Sequence, residues 1–181
     1  ASRLKDFSVG KQTEEIDSLA MAISKNQSLS VLLGQETPVF VKQYGTGNLA
    51  VPSFRGANSS QAAVIWNGFN LQSSMNGQVD LNLFPVGFFN NIQIQKGGGG
   101  ALFGSGAIGG SIHLGQRTML GTGINASADL EVGSFGHNQG LFSVSYGGDK
   151  IACSAKISNS NALNNFSSDN EAKFNTPTEK L

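Results

Sequence analysis

Side chains that carry most enzyme chemistry are sparse in this 181-residue sequence: two histidines, His113 and His137, and one cysteine, Cys153. No ligand spacing flanks either histidine, whereas a zinc site needs three or four N, S or O ligands. Cys153 has no partner for a disulfide within the chain. It lies in the alternating run Ile151-Ala152-Cys153-Ser154-Ala155, on the side of Ile151 and Ala155, where a free thiol serves as a small apolar group. A Ser-His-Asp set can be written on paper, but no Gly-x-Ser-x-Gly elbow supports it. Gly104-Ser105-Gly106-Ala107-Ile108-Gly109 matches Gly-x-Gly-x-x-Gly, and Asp129 follows Gly109 by about the 20 residues expected of a ribose-binding acid. A dinucleotide site also requires a strand before the glycines and a helix opening within them. Here Ser111-Ile112-His113-Leu114 alternates like a strand, and Gly109-Gly110 would break a helix. The glycines are therefore expected to permit positive φ and close backbone approach. No catalytic residue, metal site or cofactor is expected, and the chain is not read as an enzyme.

The elements that could position any site come from a charge-poor, glycine-rich chain. Charged residues make up 13%, against about 25% in ordinary soluble domains. Twelve basic and twelve acidic residues cancel, which argues against a nucleic-acid partner. The 24 glycines are roughly twice the usual share and favour turns and strands over a helical bundle. No run approaches the roughly 18 apolar residues of a spanning helix. The start, Ala1 to Lys5, lacks a signal peptide's apolar core, which leaves a cytoplasmic or an already processed chain.

Along the chain, Ser18 is expected to cap a short helix reaching about Lys25. Ser28 caps a better-marked one with Leu29, Leu32 and Leu33 at helical spacing, ended by Thr37-Pro38. Strands are expected at Val39–Val41, Val51–Arg55, Ala62–Trp66 and Asn91–Gln95. Loops are expected at Tyr44–Asn48 and Asn70–Asp80, and a tight turn at Asn67-Gly68. Phe84–Phe89 reads as a short helical turn. Then the texture changes. Ile124–Val132, Phe142–Tyr146 and Ile151–Ser158 alternate apolar and polar residues, separated by Gly133–Asn138 and Gly147–Lys150, and Asn159 onward reads as a long loop. Such segments suit transmembrane β-barrel strands, although a soluble meander alternates in the same way. Three strands alone would leave open edges in lipid, so either the chain is a fragment or partners complete it.

Several stretches, taken in order, resemble the plug domain of TonB-dependent outer-membrane transporters, including the cobalamin branch. These are Ser28–Leu33 before Thr37-Pro38-Val39, Phe54-Arg55-Gly56, Val64-Ile65-Trp66-Asn67-Gly68, Leu83-Phe84-Pro85, Ile92 to Gly97, and above all Ala101 to Leu114 with its Gly104, Gly109 and Gly110. Ala1-Ser2-Arg3 resembles the segment that follows the family's TonB box. The resemblance runs from Ala1 to about Leu114 and into the barrel start. It implies an α+β plug (a small mixed sheet with short helices) over residues 1–115. Residues 116–181 would then hold the first antiparallel transmembrane β-barrel strands and the start of a long external loop, with the barrel incomplete in this chain.

The implied function is a gate that occludes the barrel lumen in the outer membrane of a Gram-negative bacterium and helps bind a scarce large ligand such as a cobalamin or metal chelate. The implied partners are the enclosing β-barrel, TonB in the periplasm if its box precedes Ala1, and, as a further possibility, an external lipoprotein. Matching loop positions implies ligand contacts from Tyr44, Asn48, Ser73, Ser74, Met75 and Asn76. Ser73, Ser74, Met75 and Asn76, small, polar or adaptable, suit a large neutral or amphipathic ligand. Plug–barrel contacts would come from Arg55 and Lys96, and Gly56, Gly68, Gly104, Gly109 and Gly110 would be structural. Where the family carries plug acids this sequence has Asn67, Asn90, Asn91 and Gln93, so Arg55 is expected to meet a barrel acid outside the chain, or solvent. One rival reading is a plug-like subunit that seals a different, larger barrel such as a protein translocon. Another is a soluble β-rich binding module.

Overall fold

The computed structural model describes residues 12–45, 47–97, 104–134 and 136–162. Outside them lie Ala1-Ser2-Arg3, Thr46, the glycines Gly98 to Gly100, Ala101 to Phe103, Phe135, and the Asn/Ser-rich stretch from Leu163. The first part contains β1 (Gln12–Glu15), α1 (Ser18–Ile23), α2 (Leu29–Glu36), β2 (Phe40–Gln43), β3 (Ala50–Ser53), β4 (Ala62–Trp66), β5 (Phe69–Asn70), β6 (Asn91–Lys96) and β7 (Gly110–Gly115). A five-stranded mixed sheet has the order β1-β6-β7-β4-β5, in which only β4 and β7 run parallel. Strands β2 and β3 form a separate ribbon.

Alternation along β6 and β7 turns Ile92, Ile94, Ile112 and Leu114 to one face of the sheet. There they join Val64 and the helix residues Leu29, Leu32 and Leu33, all fully or almost fully buried. Each such side chain contributes about 1.5–3 kcal/mol, so this core, rather than the glycine segments, holds the first part together. Helix α2 follows Ser28, whose backbone is extended, and stops at Thr37, before Pro38. The Thr37 hydroxyl donates to the Leu33 carbonyl at 2.6 Å, satisfying one of the last carbonyls.

Several boundaries differ from the sequence expectation, each for a physical reason. Asp17 rather than Ser18 is the residue flanking α1, and the helix closes at Ile23. Strand β3 stops at Ser53, because the chain turns at Arg55 (φ +48°) and Gly56 (φ +76°). Phe69-Asn70, expected to fall at the edge of a loop, closes a hairpin with β4 across Asn67-Gly68, both at positive φ. Strand β1 gives no apolar signal; its backbone pairs with the edge of β6.

The second part is an antiparallel meander of β8 (Gly123–Val132), β9 (Asn138–Gly147) and β10 (Ala152–Asn161). Strand β10 runs past Ser158 because its register with β9 continues to Asn161↔Asn138. Each strand has ten residues, within the roughly 9–11 that cross a bilayer. Register stacks Ile124–Tyr146–Cys153, Ala126–Val144–Ala155 and Ala128–Phe142–Ile157 on one face. The opposite face carries Asn125–Ser145–Ser154, Ser127–Ser143–Lys156, Asp129–Leu141–Ser158 and Glu131–Gln139–Ser160. The apolar face is bare: Ile124 is 77% exposed and Val132 82%. So large an exposed apolar surface calls for a lipid or protein covering.

Candidate functional site

A cleft of about 590 Å³ opens between the turn at Ser59–Gln61, the loop after β5 and the turn at Ser105–Ala107. Its lining includes Ser60, Gln61, Asn70, Gln72, Ser73 and Asn76, with Gly77, Gly104, Gly106 and Ile108. No lining side chain carries a charge, and the volume lies in the range of small-molecule sites.

The loop 73–77 shapes itself through short-range bonds. The Ser73 hydroxyl accepts from the Met75 amide at 3.3 Å, and the Asn76 side chain accepts from the Gln78 amide at 3.1 Å. The Gly77 amide reaches back to the Ser73 carbonyl at 2.8 Å, and Gly77 sits at φ +66°. Of the expected ligand residues, Ser73 and Asn76 line this cleft. Ser74 and Met75 form the exposed tip, Met75 being 95% exposed. Tyr44 and Asn48 lie in a different turn and are not among the lining residues. The Tyr44 ring lies 4.8 Å beneath the Lys42 ammonium, and the Asn48 carbonyl accepts from the Asn82 side chain.

The glycines divide by cause. Gly56, Gly68 and Gly104 have positive φ. Gly109 and Gly110 are places of close approach: a Cβ on Gly110 would lie 2.8 Å from the Phe54 ring and 2.9 Å from the Gln95 carbonyl. No α-helix opens within the Gly104–Gly109 motif; a single 3₁₀ turn leads into β7. On β7, His113 is buried with its Nε2 2.8 Å from the Ser111 hydroxyl, and burial lowers its pKa to about 4.

Among the described residues, the polar face of β8–β10 meets the first part of the chain mainly at one corner. Two turns build that corner: residues 24–28 and Val86–Phe88, stitched by Val86 N–H to Gln27 O (2.9 Å) and Gly87 N–H to Lys25 O (2.8 Å). The Lys25 ammonium meets Asp129 of β8 at 2.5 Å. Lys156 of β10 donates to the carbonyls of Gly87 (3.0 Å) and Phe88 (3.1 Å). Gln139 of β9 donates to the Asn26 carbonyl, and lower down Gln116 donates to Ser154 at 3.1 Å. Leu141 of β9, 1% exposed, sits against the bare backbone of Gly87.

Sequence reasoning missed this set. It had named Arg55 and Lys96. Lys96 pairs with Glu14 of β1 at 2.7 Å, inside the plug itself, and Arg55 is exposed with no carboxylate partner among the described residues. One trace was readable: Leu141 is an apolar residue among Gln139, Ser143 and Ser145 on an otherwise polar face.

Comparison with known proteins agrees with this architecture. The profile of the TonB-dependent Receptor Plug Domain family matches residues 6–111. The vitamin B12 transporter BtuB of Vibrio vulnificus (strain CMCP6) is 34% identical over 94 residues, covering 47% of this chain and 15% of that protein. BtuB of Vibrio cholerae serotype O1 (strain O395) is 35% identical over 89 residues, 49% of this chain and 15% of that one. The chain thus spans about 15% of the length of the curated relatives it matches. Among solved structures, the siderophore receptor PiuA from Acinetobacter baumannii superposes with a TM-score of 0.65 at 18% identity, over 83% of this chain and 20% of that one. The pyoverdine outer membrane receptor FpvA from Pseudomonas aeruginosa PAO1 gives 0.64 at 16% identity, over 84% of this chain and 22% of that one. At these identities the likeness concerns the fold.

Proposed function

From the premise that the chain belongs to the TonB-dependent receptor plug domain family, whose place is the outer membrane of Gram-negative bacteria, we propose that it is the gate and first wall strands of an active transporter. Residues 1–115 are the plug and 116–181 the opening strands of the barrel with the start of an external loop. A barrel of about 22 strands encloses a lumen too wide for side chains to fill, and a folded plug occupies it. The observation that carries this reading is the two-faced meander. Its apolar face is bare for lipid, while its polar face grips the plug through Lys25–Asp129, Lys156 and Leu141.

The uncharged cleft contributes to binding a scarce large ligand such as a cobalamin or metal chelate, with Ser73 and Asn76 lining it, Ser74 and Met75 at the loop tip, and Tyr44 and Asn48 contributing from a separate turn. Periplasmic TonB, drawing on the inner-membrane proton gradient, remodels the plug to release that ligand inward. Arg55, exposed and without a carboxylate partner among the described residues, would meet an acid on wall strands beyond those described. A non-glycine residue at φ +48° carries roughly 1–2 kcal/mol of strain, and strain of that kind persists where surrounding contacts compensate it. Lys96 is tied to β1 through Glu14.

The test is uptake of labelled cyanocobalamin and of ferric chelates by cells carrying the full-length gene. A protonophore should abolish accumulation while surface binding persists, and alanine at Ser73–Asn76 should weaken that binding. Flux that is indifferent to the gradient would overturn the gating reading. Affinity unchanged by the alanines would remove the loop from the ligand site.

A further inference from the structure

One side-chain amide of the cleft lining makes several bonds to the surrounding backbone. Gln72 donates from Nε2 to the carbonyls of Gly77 (2.8 Å) and Ser60 (3.1 Å), with that of Ala62 at 3.5 Å, and its Oε1 accepts from Asn70 Nδ2 at 3.1 Å. One amide thus joins the far end of loop 73–77, the turn before β4 and the start of β4. The amide lies against Gly106: a Cβ there would fall 2.2 Å from Gln72 Oε1. Gly106 does not have a positive φ, so the missing side chain answers to space and not to backbone conformation. The Gln72 donors and its oxygen all have protein partners, so the amide has little left to offer a ligand.

We propose that Gln72 is the positioning residue of the ligand loop. It fixes Ser73 and Asn76 before a ligand arrives, and Gly106 is kept bare to seat it. This rests on the reading of residues 71–78 as a ligand-contacting loop. An ordered loop binds more tightly because less ordering is left to do on association. Gln72 acts through donation: the carbonyls of Gly77 and Ser60 need an N–H, which a carboxylate of the same shape cannot supply.

The experiment uses the full-length protein with Gln72→Glu, Gln72→Ala, Gly106→Ala and the Gln72→Ala/Gly106→Ala pair. Millisecond hydrogen exchange of the Ser73 and Gly77 amides is read beside cyanocobalamin titration and uptake. Gln72→Glu and Gly106→Ala should each speed exchange in the loop, and should weaken apparent affinity by about tenfold, the order expected when a partly buried hydrogen-bonded group is lost. Gly106→Ala should add nothing once Gln72 is alanine. Unchanged loop exchange in Gln72→Glu, or an undiminished Gly106→Ala effect in the Gln72→Ala background, overturns the assignment. So does faster exchange with unchanged affinity. If the unmutated protein shows no saturable cyanocobalamin binding, the cobalamin reading fails, and the exchange arm still decides the role of Gln72.

Discussion

Leu141 and Gly87 form a knob and hole between wall and plug, and the geometry sets what filling the hole should cost. A Cβ on Gly87 would lie 2.3 Å from Leu141 Cδ2, 2.9 Å from Lys25 Cγ and 3.0 Å from the Lys25 carbonyl. Carbon atoms prefer about 3.5–4.0 Å, so Gly87→Ala forces β9 and the corner apart. Overpacking of this kind costs about 1–3 kcal/mol, which raises local opening roughly five- to hundredfold. Leu141→Ala acts in the opposite sense and leaves a cavity worth about 2–5 kcal/mol. Together the two changes should partly cancel: the new methyl occupies space vacated by the leucine, though the Lys25 carbonyl still crowds it. The double variant should therefore cost at least about 1 kcal/mol less than the sum, a coupling expected only of residues in contact. Hydrogen exchange of the Val86, Gly87 and Phe89 amides in the full-length protein reads this directly, because their partners Gln27, Lys25 and Val86 belong to the same corner. Additive effects, or a Gly87→Ala variant whose corner exchanges like the parent, would refute the claim that this wall strand holds the plug here.

Three further outcomes follow from the same contacts. Lys156→Met keeps the length of the side chain but leaves the Gly87 and Phe88 carbonyls without their cationic donor; local stability at Val86–Phe88 should fall by about 1–3 kcal/mol, measured by the same exchange. His113 has a folded pKa lowered to about 4 by burial, so its unfolded form takes up a proton first as the pH drops. Its contribution is complete above about 6.5 and is lost between there and about 4, at roughly 1.4 kcal/mol per pH unit at most, and His113→Gln should flatten that slope in plug-unfolding measurements. On β9, Val144→Lys introduces a charge on the bare apolar face and should cost about 2–4 kcal/mol near the bilayer midplane. Ser145→Lys, one residue on and facing inward, should cost far less, as read by heat-modifiable gel mobility and assembly yield.

What could be read from the sequence was whatever depends on neighbours a few residues away. Alternation in β8–β10 is local, because one face of each strand has a single environment along its length. The turn at Asn67-Gly68 and the leucines of α2 are likewise local. Strand β1 is the converse: Gln-Thr-Glu-Glu has no periodicity to find, and becomes a strand because the edge of β6 offers unpaired backbone groups and Lys96 reaches Glu14. The residues of loop 73–76 were readable together, but the cleft they border was not, since its other wall comes from turns more than ten residues away, to which Gln72 and Gln78 bond.

The wall contacts lay furthest from reach. Lys25 and Asp129 are separated by 104 positions, so no spacing rule links them, and family-like arginine and lysine positions pointed elsewhere. The composition nevertheless carried the outline. A wall with lipid on one side must be apolar there, and on the gating reading proposed above its other side would not be charged throughout, because each paired charge strengthens the hold. Serine and asparagine wet most of the inner face, and Lys25, Asp129 and Lys156 gather at one corner. The low charge content noted at the outset fits such a division: among the described residues the charged contacts to these strands gather at one corner, and the uncharged polar groups elsewhere on that face are ones water can satisfy at little cost.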